Sequence, residues 1–347
     1  SATGALGSGT YVYTIIKSNN STYSISATAT VNNVTRWVGL KRIYQPTYAK
    51  YALWSRVNGV IYFKSGEQFN GHVHADDKLY FSGNPVFFAP VTSGASTYGG
   101  SIADVTFHDG FNLNASEGSM ADVDFNSSSS SSLKNIASVN GLVLQGHTTI
   151  TFNGSSVRIT NSRAGYSNYN YTPSAEGIIY VRTATSGSNS TKAGRVYLQG
   201  GTVAGRLTIV TEEDTYIRGH VDYATDPVSN PTSTDALGII SRDDVWVDTS
   251  APNNLRIDAA IMATGQAGSD GSFGVINYDS GSPRGNLNVL GGIIQDVRGA
   301  VGTFSGSTTV TGYAKNYSFD PRFLDNPPPY FPAVAGKLEY SNWQEGK

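Results

Sequence analysis

Five aspartates in the second half of the chain are the most concentrated set of groups that could do chemistry. They are Asp222, Asp226, Asp235, Asp243 and Asp244, with His220 and Arg242 nearby in the sequence. Paired carboxylates can act as general acid and base on a polysaccharide or can bind calcium. Asp243 and Asp244 point to opposite faces of an extended strand, so only one of them can join a site. We expect solvated carboxylates at chain corners and no catalytic residues, with a polysaccharide lyase or hydrolase as the alternative.

One pair of histidines has a spacing that suits metal binding. His72 and His74 share one face of a strand, opposite Val73, and two imidazoles could ligate a metal ion. A second copy of the repeat described below has Arg206 and Thr208 at these positions. We therefore expect a surface-exposed pair that binds no metal, and the sequence predicts no cofactor.

A group of tyrosines is the best candidate for contact with a ligand. Tyr166, Tyr169 and Tyr171 lie in the segment AGYSNYNYT, where aromatic and amide side chains are interspersed. Aromatic faces stack, and amides form hydrogen bonds, so this segment suits contact with carbohydrate or protein. A tyrosine ladder packed on an outer sheet is the alternative interpretation.

The composition excludes several classes of protein. Charged residues make up only 14% of the 347 residues, and the net charge is −2, with no cluster of Lys or Arg. We therefore expect no nucleic-acid partner. The absence of cysteine excludes disulfides and thiolate metal sites. A surface rich in Ser, Thr and Asn is typical of extracellular β proteins, and we expect a secreted bacterial protein that reaches a membrane only through an anchor removed from before Ser1.

An internal repeat is the strongest indication of the fold. Short β-prone runs end at Gly, Asn, Asp or Pro throughout the chain, which predicts an all-β protein. Residues 59–81 align with residues 194–217, allowing one gap in each. The matched pairs are Tyr62 with Tyr197, Gly66 with Gly201, Gly71 with Gly205, and Tyr80 with Tyr216.

Each copy of the repeat presents small and apolar residues on one face. These residues are Phe69, Gly71, Val73 and Ala75 in the first copy, and Val203, Gly205, Leu207 and Ile209 in the second. Stacking such units in parallel buries one interior column and pairs the backbone groups of successive units. The sequence therefore predicts a right-handed parallel β-helix, a solenoid with glycine corners. An antiparallel β-sandwich is the alternative, because Asn-Gly and Asp-Gly pairs typical of hairpin turns occur.

The predicted solenoid covers only part of the chain. We expect a strand-rich N-terminal arm or cap over residues 1–58, the β-helix over residues 59–325, and a Pro-rich tail over residues 326–347. In the arm, the β-prone segment 10–16 could add to the exposed sheet edge of a neighbouring subunit. Tyr11, Tyr13 and Ile15 are thus candidate subunit contacts, and we expect self-association or association with other surface subunits.

Several segments of the second half resemble a known family. These are ALGIISRDDVWV from residue 236, LRIDAAIMA from 255, LNVLGGI from 287, RGAVG from 298, YSFDPRF from 317 and PPPYFP from 327. Over about residues 190–345 the chain resembles the ectodomain of bacterial PilX-like, type IV pilus-associated surface proteins. The resemblance implies a β-helical region outside the cytoplasm and transfers no catalytic residue.

The expected function follows from the repeat, the composition and this resemblance. We expect an extracellular structural or adhesive surface protein, pilus-associated or itself a filament subunit, without catalysis. The alternative is a β-helix protein that binds or cleaves polysaccharide.

Overall fold

A computed structural model of the chain describes residues 1–17, 22–120, 123–306 and 308–346, and most of these residues form short β-strands. The predicted all-β class is confirmed. The chain forms two compact units, Ser1–Thr47 with Ala333–Lys347, and Tyr48–Pro332. These bounds differ from the expected divisions after residues 58 and 325, because the last residues form a strand of the first unit. In the part of the chain that is described, no helix is long and apolar enough to cross a membrane.

The first unit is one antiparallel sheet. Its strands are β1 (Ala2–Leu6), β2 (Gly9–Lys17), β3 (Thr22–Val31), β4 (Val34–Tyr44) and β31 (Glu339–Gly346). They lie in the order β1–β2–β3–β4–β31, so the first and the last strand are the two edges. The chain leaves this unit at Thr47 and re-enters it at Ala333, and these two residues form an antiparallel bridge.

The second unit begins with a 3₁₀ turn at Tyr48–Lys50 and a group of strands that we call the N-terminal rungs (residues 51–112). The strands are β5 (Tyr51–Val57), β6 (Tyr62–Lys64), β7 (Gln68–Phe69), β8 (His72–Ala75), β9 (Tyr80–Ser82), β10 (Val86–Phe87), β11 (Val91–Ser93), β12 (Gly99–Gly100), β13 (Thr106–Phe107) and β14 (Phe111–Asn112). They pair in parallel in three columns, β5–β8–β11–β14, β6–β9–β12 and β7–β10–β13. The rings of Phe69, Phe87 and Phe107 stack along the last column, with neighbouring centroids 5.4 Å apart.

The remaining strands of the second unit form the C-terminal rungs (residues 142–319). They are β15 (Leu142–Gln145), β16 (Thr148–Gly154), β17 (Ser156–Asn161), β18 (Tyr166–Tyr171), β19 (Glu176–Arg182), β20 (Val196–Val203), β21 (Arg206–Thr211), β22 (Thr215–Ile217), β23 (Val221–Tyr223), β24 (Ala236–Ser241), β25 (Val245–Val247), β26 (Arg256–Ala263), β27 (Phe273–Val275), β28 (Pro283–Val297), β29 (Gly302–Ser305) and β30 (Thr308–Phe319). Parallel pairs dominate, and β16–β17–β18 and β29–β30 are antiparallel additions. Short helical segments lie at Ser162–Ala164, Asn189–Lys192 and Pro321–Leu324.

One interior column of apolar side chains runs through both groups of rungs. Its members, in spatial order, are Leu142, Ile179, Ile209, Ile239, Ile261, Ile293, Leu53, Val73, Val91 and Phe111. The order shows that β28 pairs with β5, and we call this junction the seam. Along the stack, the last of the C-terminal rungs is therefore followed by the first of the N-terminal rungs, although the N-terminal rungs come first in the sequence. Strand β5 belongs to the stack rather than to the arm, because its first five residues are all buried.

A long connection runs from β14 back to β15 along the outside of the rungs. It ends in helix α1 (Leu133–Asn140), where Ser132 caps the first turn by accepting from the Asn135 N–H. Glu117 in this connection accepts a 2.7 Å hydrogen bond from the Tyr51 hydroxyl. Further along, the Gln266 amide donates to the Met120 carbonyl at 3.0 Å. These contacts hold the connection against rungs on both sides of the seam.

The Pro-rich segment 326–332 packs on the side of the second unit. Arg206 donates from Nη2 to the Pro327 carbonyl at 2.6 Å, and Phe331 is buried. A Cβ atom at Gly238 would lie 3.1 Å from the Phe331 ring, so glycine allows this close approach. The prolines thus cover strands β21 and β24 without joining a ladder.

The repeat predicted from the sequence is reflected in burial and in register. The six predicted inward side chains other than glycine are all buried, namely Phe69, Val73, Ala75, Val203, Leu207 and Ile209. The paired tyrosines of each copy are register partners in adjacent parallel strands. The rings of Tyr197 and Tyr216 are stacked, with centroids 4.9 Å apart.

Candidate functional site

The antiparallel sheet of the first unit carries apolar side chains on one face. We call this the aromatic face, and its residues are Tyr11, Tyr13, Ile15, Ile25, Leu40 and Trp343. Four of them form a cross-strand row, because Ile15 pairs with Ile25, Ile25 with Leu40, and Leu40 with Trp343. Ile15 is 52% exposed and Trp343 is 59% exposed. Exposed aliphatic and aromatic groups on one sheet face are typical of an interaction surface.

The opposite face of the same sheet is richer in hydroxyl groups. The alternate residues of β3 on that face are Ser24, Ser26, Thr28 and Thr30. Thr30 and Thr35 bond to each other across the strands, with their Oγ1 atoms 2.9 Å apart. Val12 and Ile16 are the apolar residues of β2 on this face. Trp37 of β4 also lies on this face, because it pairs with Thr28. Both faces therefore carry exposed apolar groups, and the continuous cross-strand apolar row lies on the aromatic face.

The position of β2 changes how the candidate subunit contacts could work. Tyr11, Tyr13 and Ile15 lie on an interior strand, which pairs with β1 on one side and β3 on the other. Segment 10–16 therefore has no free backbone edge to add to a neighbouring subunit, and the expected strand addition does not fit this arrangement. Contact through these residues would instead use their side chains. The ring of Tyr11 lies over Gly4, where a Cβ atom would come within 2.4 Å of it.

The strand that completes the aromatic face is not evident from the sequence. Trp343 falls within the predicted Pro-rich tail, yet β31 pairs with β4 along most of its length. The available signal was the period-two pattern of β4, where Val38 and Leu40 alternate with Trp37 and Gly39. That pattern indicates a two-faced strand, and does not reveal which segment pairs with it.

The three candidate contact tyrosines of the second unit lie together on β18. Tyr166 and Tyr169 stack with their ring centroids 4.3 Å apart, and Tyr169 is 45% exposed. Tyr166 and Tyr171 pack against the core. Burial, followed by the neighbouring tyrosines, raises the pKa of Tyr171. Strand β18 therefore has features of both interpretations. Two tyrosine rings pack against the sheet as in a ladder, and the third is exposed and available to a ligand.

The five aspartates predicted as a cluster are divided among separate places. Asp222 and Asp226 lie 3.3 and 3.8 Å from Arg256, which also pairs with buried Asp258 at 2.9 Å. Asp235 instead accepts from the Gly205 N–H at 2.6 Å and fixes a corner. Arg256 and Asp258 were not identified from the sequence, although their i, i+2 spacing puts them on one face of β26.

Asp243 and Asp244 join Asp214 at a corner between rungs. Their carboxylate oxygens lie within 4.8 Å of one another, so both contribute, contrary to the expectation from an extended strand. They do so because residues 242–244 bend before β25 begins. Asp244 accepts from the Ser272 N–H at 2.7 Å. Burial is the main cause that raises the pKa of Asp214 and of Asp244, and Asp243 adds to it.

The prediction that His72 and His74 form a surface-exposed pair is wrong. His74 is fully buried because β8 lies between β5 and β11. Both imidazoles contact the Thr92 hydroxyl, His72 at 2.8 Å and His74 at 2.7 Å. His74 also lies 2.9 Å from Asp76. The pair is thus part of the packing between rungs.

Comparisons with known proteins do not assign the chain to a family. No family model matches it, and no curated protein matches it. Among solved structures, the chain is similar to the competence-associated pilin ComZ from Thermus thermophilus, with a TM-score of 0.39 and 12% sequence identity. The similarity covers 97% of this chain and 84% of that pilin. At this score it does not establish a shared fold, and the resemblance to PilX-like proteins stays a prediction.

Proposed function

We propose that the chain is a non-catalytic structural subunit of an extracellular surface assembly, a filament or a pilus-associated structure, and that it associates with itself through the aromatic face. The low charge, the neutral polar composition and the segments that resemble PilX-like proteins support an extracellular role. The proposal includes the finer fold predicted from the sequence, a right-handed parallel β-helix for the second unit. The parallel register of the rungs supports it, and parallel crossovers are almost always right-handed.

The row Ile15–Ile25–Leu40–Trp343 carries this proposal. A sheet gains stability by burying one face, and a second sheet packed about 10 Å away would bury this one. With strands about 4.8 Å apart and about seven residues long, five strands present roughly 600 Å². Two such faces would bury roughly 1,200 Å², which reaches the lower end of specific interfaces. A second copy of the aromatic face is therefore an adequate partner.

Analytical ultracentrifugation of the full chain over a range of concentrations tests self-association. We expect the wild-type chain to form dimers or larger species. The double variant Tyr13→Ser with Ile15→Ser should dissociate roughly a thousandfold more readily, because it removes roughly 2 kcal/mol of apolar burial from each copy and so about 4 kcal/mol from the dimer. Circular dichroism should show an unchanged β spectrum.

The matched control lies on the same strand and faces the other way. Val12→Ser with Ile16→Ser changes two apolar residues of similar exposure on the hydroxyl-rich face. It should leave the association constant unchanged. A wild-type chain that stays monomeric at every concentration, or equal effects of the two double variants, would contradict association through the aromatic face.

A contact with carbohydrate is a second candidate function, favoured by the exposed ring of Tyr169. Stacked Tyr166 holds this ring in place, and a preorganised aromatic face suits a sugar ring.

A further inference from the structure

A cavity of about 400 Å³ lies at the seam of the second unit. Residues of β5, β6, β27, β28, β29 and β30 line it, so both groups of rungs contribute. Strand β27 is the last strand of its column, and the N–H of its Val275 donates to the Ala300 carbonyl at 3.0 Å. Residues 298–302 therefore form part of the cavity wall, together with β6. Its size lies within the range of sites for small organic ligands.

The wall of this cavity contains more buried positive charge than negative charge. Arg298 is only 6% exposed, and the side chain of Lys315 is 7% exposed. Among the described residues, the buried carboxylate that pairs with Lys315 is that of Glu67, whose Oε1 lies 2.7 Å from the Lys315 ammonium. These three groups sum to one unbalanced positive charge. Lys64, at the cavity edge, lies over the Phe304 ring at 3.6 Å and adds to the positive potential.

The guanidinium of Arg298 is fixed by several contacts, but one of its nitrogen donors has no hydrogen-bond acceptor in the part of the chain that the structure describes. Its Nη1 donates to Asn58 Oδ1 at 2.8 Å and to the Ile61 carbonyl at 3.2 Å, and its Cζ lies 4.2 Å from the Phe63 ring centre. Its buried Nη2 finds no hydrogen-bond acceptor among the described residues. A buried charged donor without a partner is unfavourable by a few kcal/mol. Burial also lowers the pKa of Arg298, and that of Lys315 to about 8.

We propose that this cavity is a binding site for a small organic monocarboxylate, with Arg298 Nη2 and Lys315 holding the carboxylate and the apolar wall holding the body of the ligand. The negative charge of a carboxylate offsets part of this positive excess. A guanidinium also matches the planar geometry of a carboxylate. Leu53, Ile293, Phe304 and Tyr317 line the remainder, which suits a ring or a branched aliphatic group.

The binding test uses three acids and one neutral analogue with the full chain. Phenylacetate and cyclohexanecarboxylate represent apolar acids, glucuronate represents a sugar acid, and phenylacetamide has the shape of phenylacetate without its charge. Calorimetric titration gives Kd, and the thermal unfolding midpoint gives an independent readout, because a ligand of the native state raises it. We expect at least one acid to bind and phenylacetamide to bind at least tenfold more weakly than phenylacetate. Whichever class of acid binds more tightly, apolar acid or sugar acid, identifies the class of the natural ligand.

Two variants and a matched control place the ligand in the cavity. Arg298→Met should weaken binding of the acid at least tenfold. Ala300→Trp, at a residue that lines the cavity, should abolish binding by filling the space while both cations remain. Arg218→Met is the control, since Arg218 also lies over an aromatic ring, Tyr197 at 4.0 Å, but is outside the cavity. It should leave Kd unchanged.

Three results would overturn the site. One is that none of the three acids binds the wild-type chain. Another is that phenylacetamide binds as tightly as phenylacetate, which would remove the need for a charge. The third is wild-type affinity in Ala300→Trp, a result that is informative even if Arg298→Met does not fold. None of these measurements depends on self-association, so the site can fail while the proposed function stands.

Discussion

The side chain of Asn70 takes the place of a β-ladder partner for the backbone of Phe319. Its Nδ2 donates to the Phe319 carbonyl at 3.3 Å, and its Oδ1 accepts from the Phe319 N–H at 2.7 Å. This link joins the end of β30 to the turn after β7 close to the seam. The next residue, Gly71, is covered by the Phe319 ring, and a Cβ atom there would lie 2.4 Å from it.

Substitution of Asn70 should therefore weaken the second unit. Asn70→Ala leaves the Phe319 backbone groups without these partners, and we expect the free energy of unfolding to fall by about 1 kcal/mol. Asn70→Asp keeps the acceptor and loses the donor, so its effect should be smaller. Urea unfolding measures both. Asn84→Ala, at an exposed turn, is the control, and equal losses in Asn70→Ala and Asn84→Ala would show that the link contributes nothing.

The interior column should be most sensitive at its middle. Ile261 is fully buried between Ile239 and Ile293, so Ile261→Ala should lower the free energy of unfolding by about 2–5 kcal/mol. Leu142 is at one end of the column and is only partly buried, so Leu142→Ala should lower it by about 1 kcal/mol. Chemical denaturation compares them. A larger loss in Leu142→Ala would contradict the order of the column.

The corner aspartates should make stability depend on pH. Burial raises the pKa values of Asp214 and Asp244 above the ordinary value of 3.8, so the native state holds protons that the unfolded state has released. Their contribution to stability is present below pH 3.8 and is lost as the pH rises through the raised native values. Asp214→Asn with Asp244→Asn should therefore become more stable relative to wild type as the pH increases from 3.8 towards neutrality. Urea unfolding at several pH values tests this, with exposed Asp104→Asn as control, and a constant difference across that range would contradict it.

A glycan array tests the second candidate function. If Tyr169 contacts carbohydrate, the wild-type chain binds at least one glycan and Tyr169→Ala loses at least tenfold in affinity for it. The thermal midpoint should stay unchanged, because Tyr169 is partly exposed while Tyr166 and Tyr171 keep their packing. Tyr278→Ala, at an exposed tyrosine outside β18, is the control. Absence of binding across neutral and acidic glycans would remove this candidate.

The sequence predicted local features of this protein better than long-range ones. Alternation identified the inward faces around Val73 and Leu207, because a period of two is a property of one strand. Pairing of Ile293 with Leu53 could not be read in this way, since one buried aliphatic strand resembles another until three-dimensional packing selects its neighbour. For the same reason Arg298 and Lys315 were not linked to Glu67, because these groups are far apart in sequence and meet only at the seam.

The bridge between Thr47 and Ala333 has a consequence for how such a chain could be built and rebuilt. Tyr48 and Pro332 are also joined, by a 2.9 Å hydrogen bond, so the second unit starts and finishes at a single point. In genetic terms it is a cassette carried in the loop between two sheet strands. A short turn joining residues 47 and 333 would excise it and keep β4 beside β31, and a different cassette could occupy the same place.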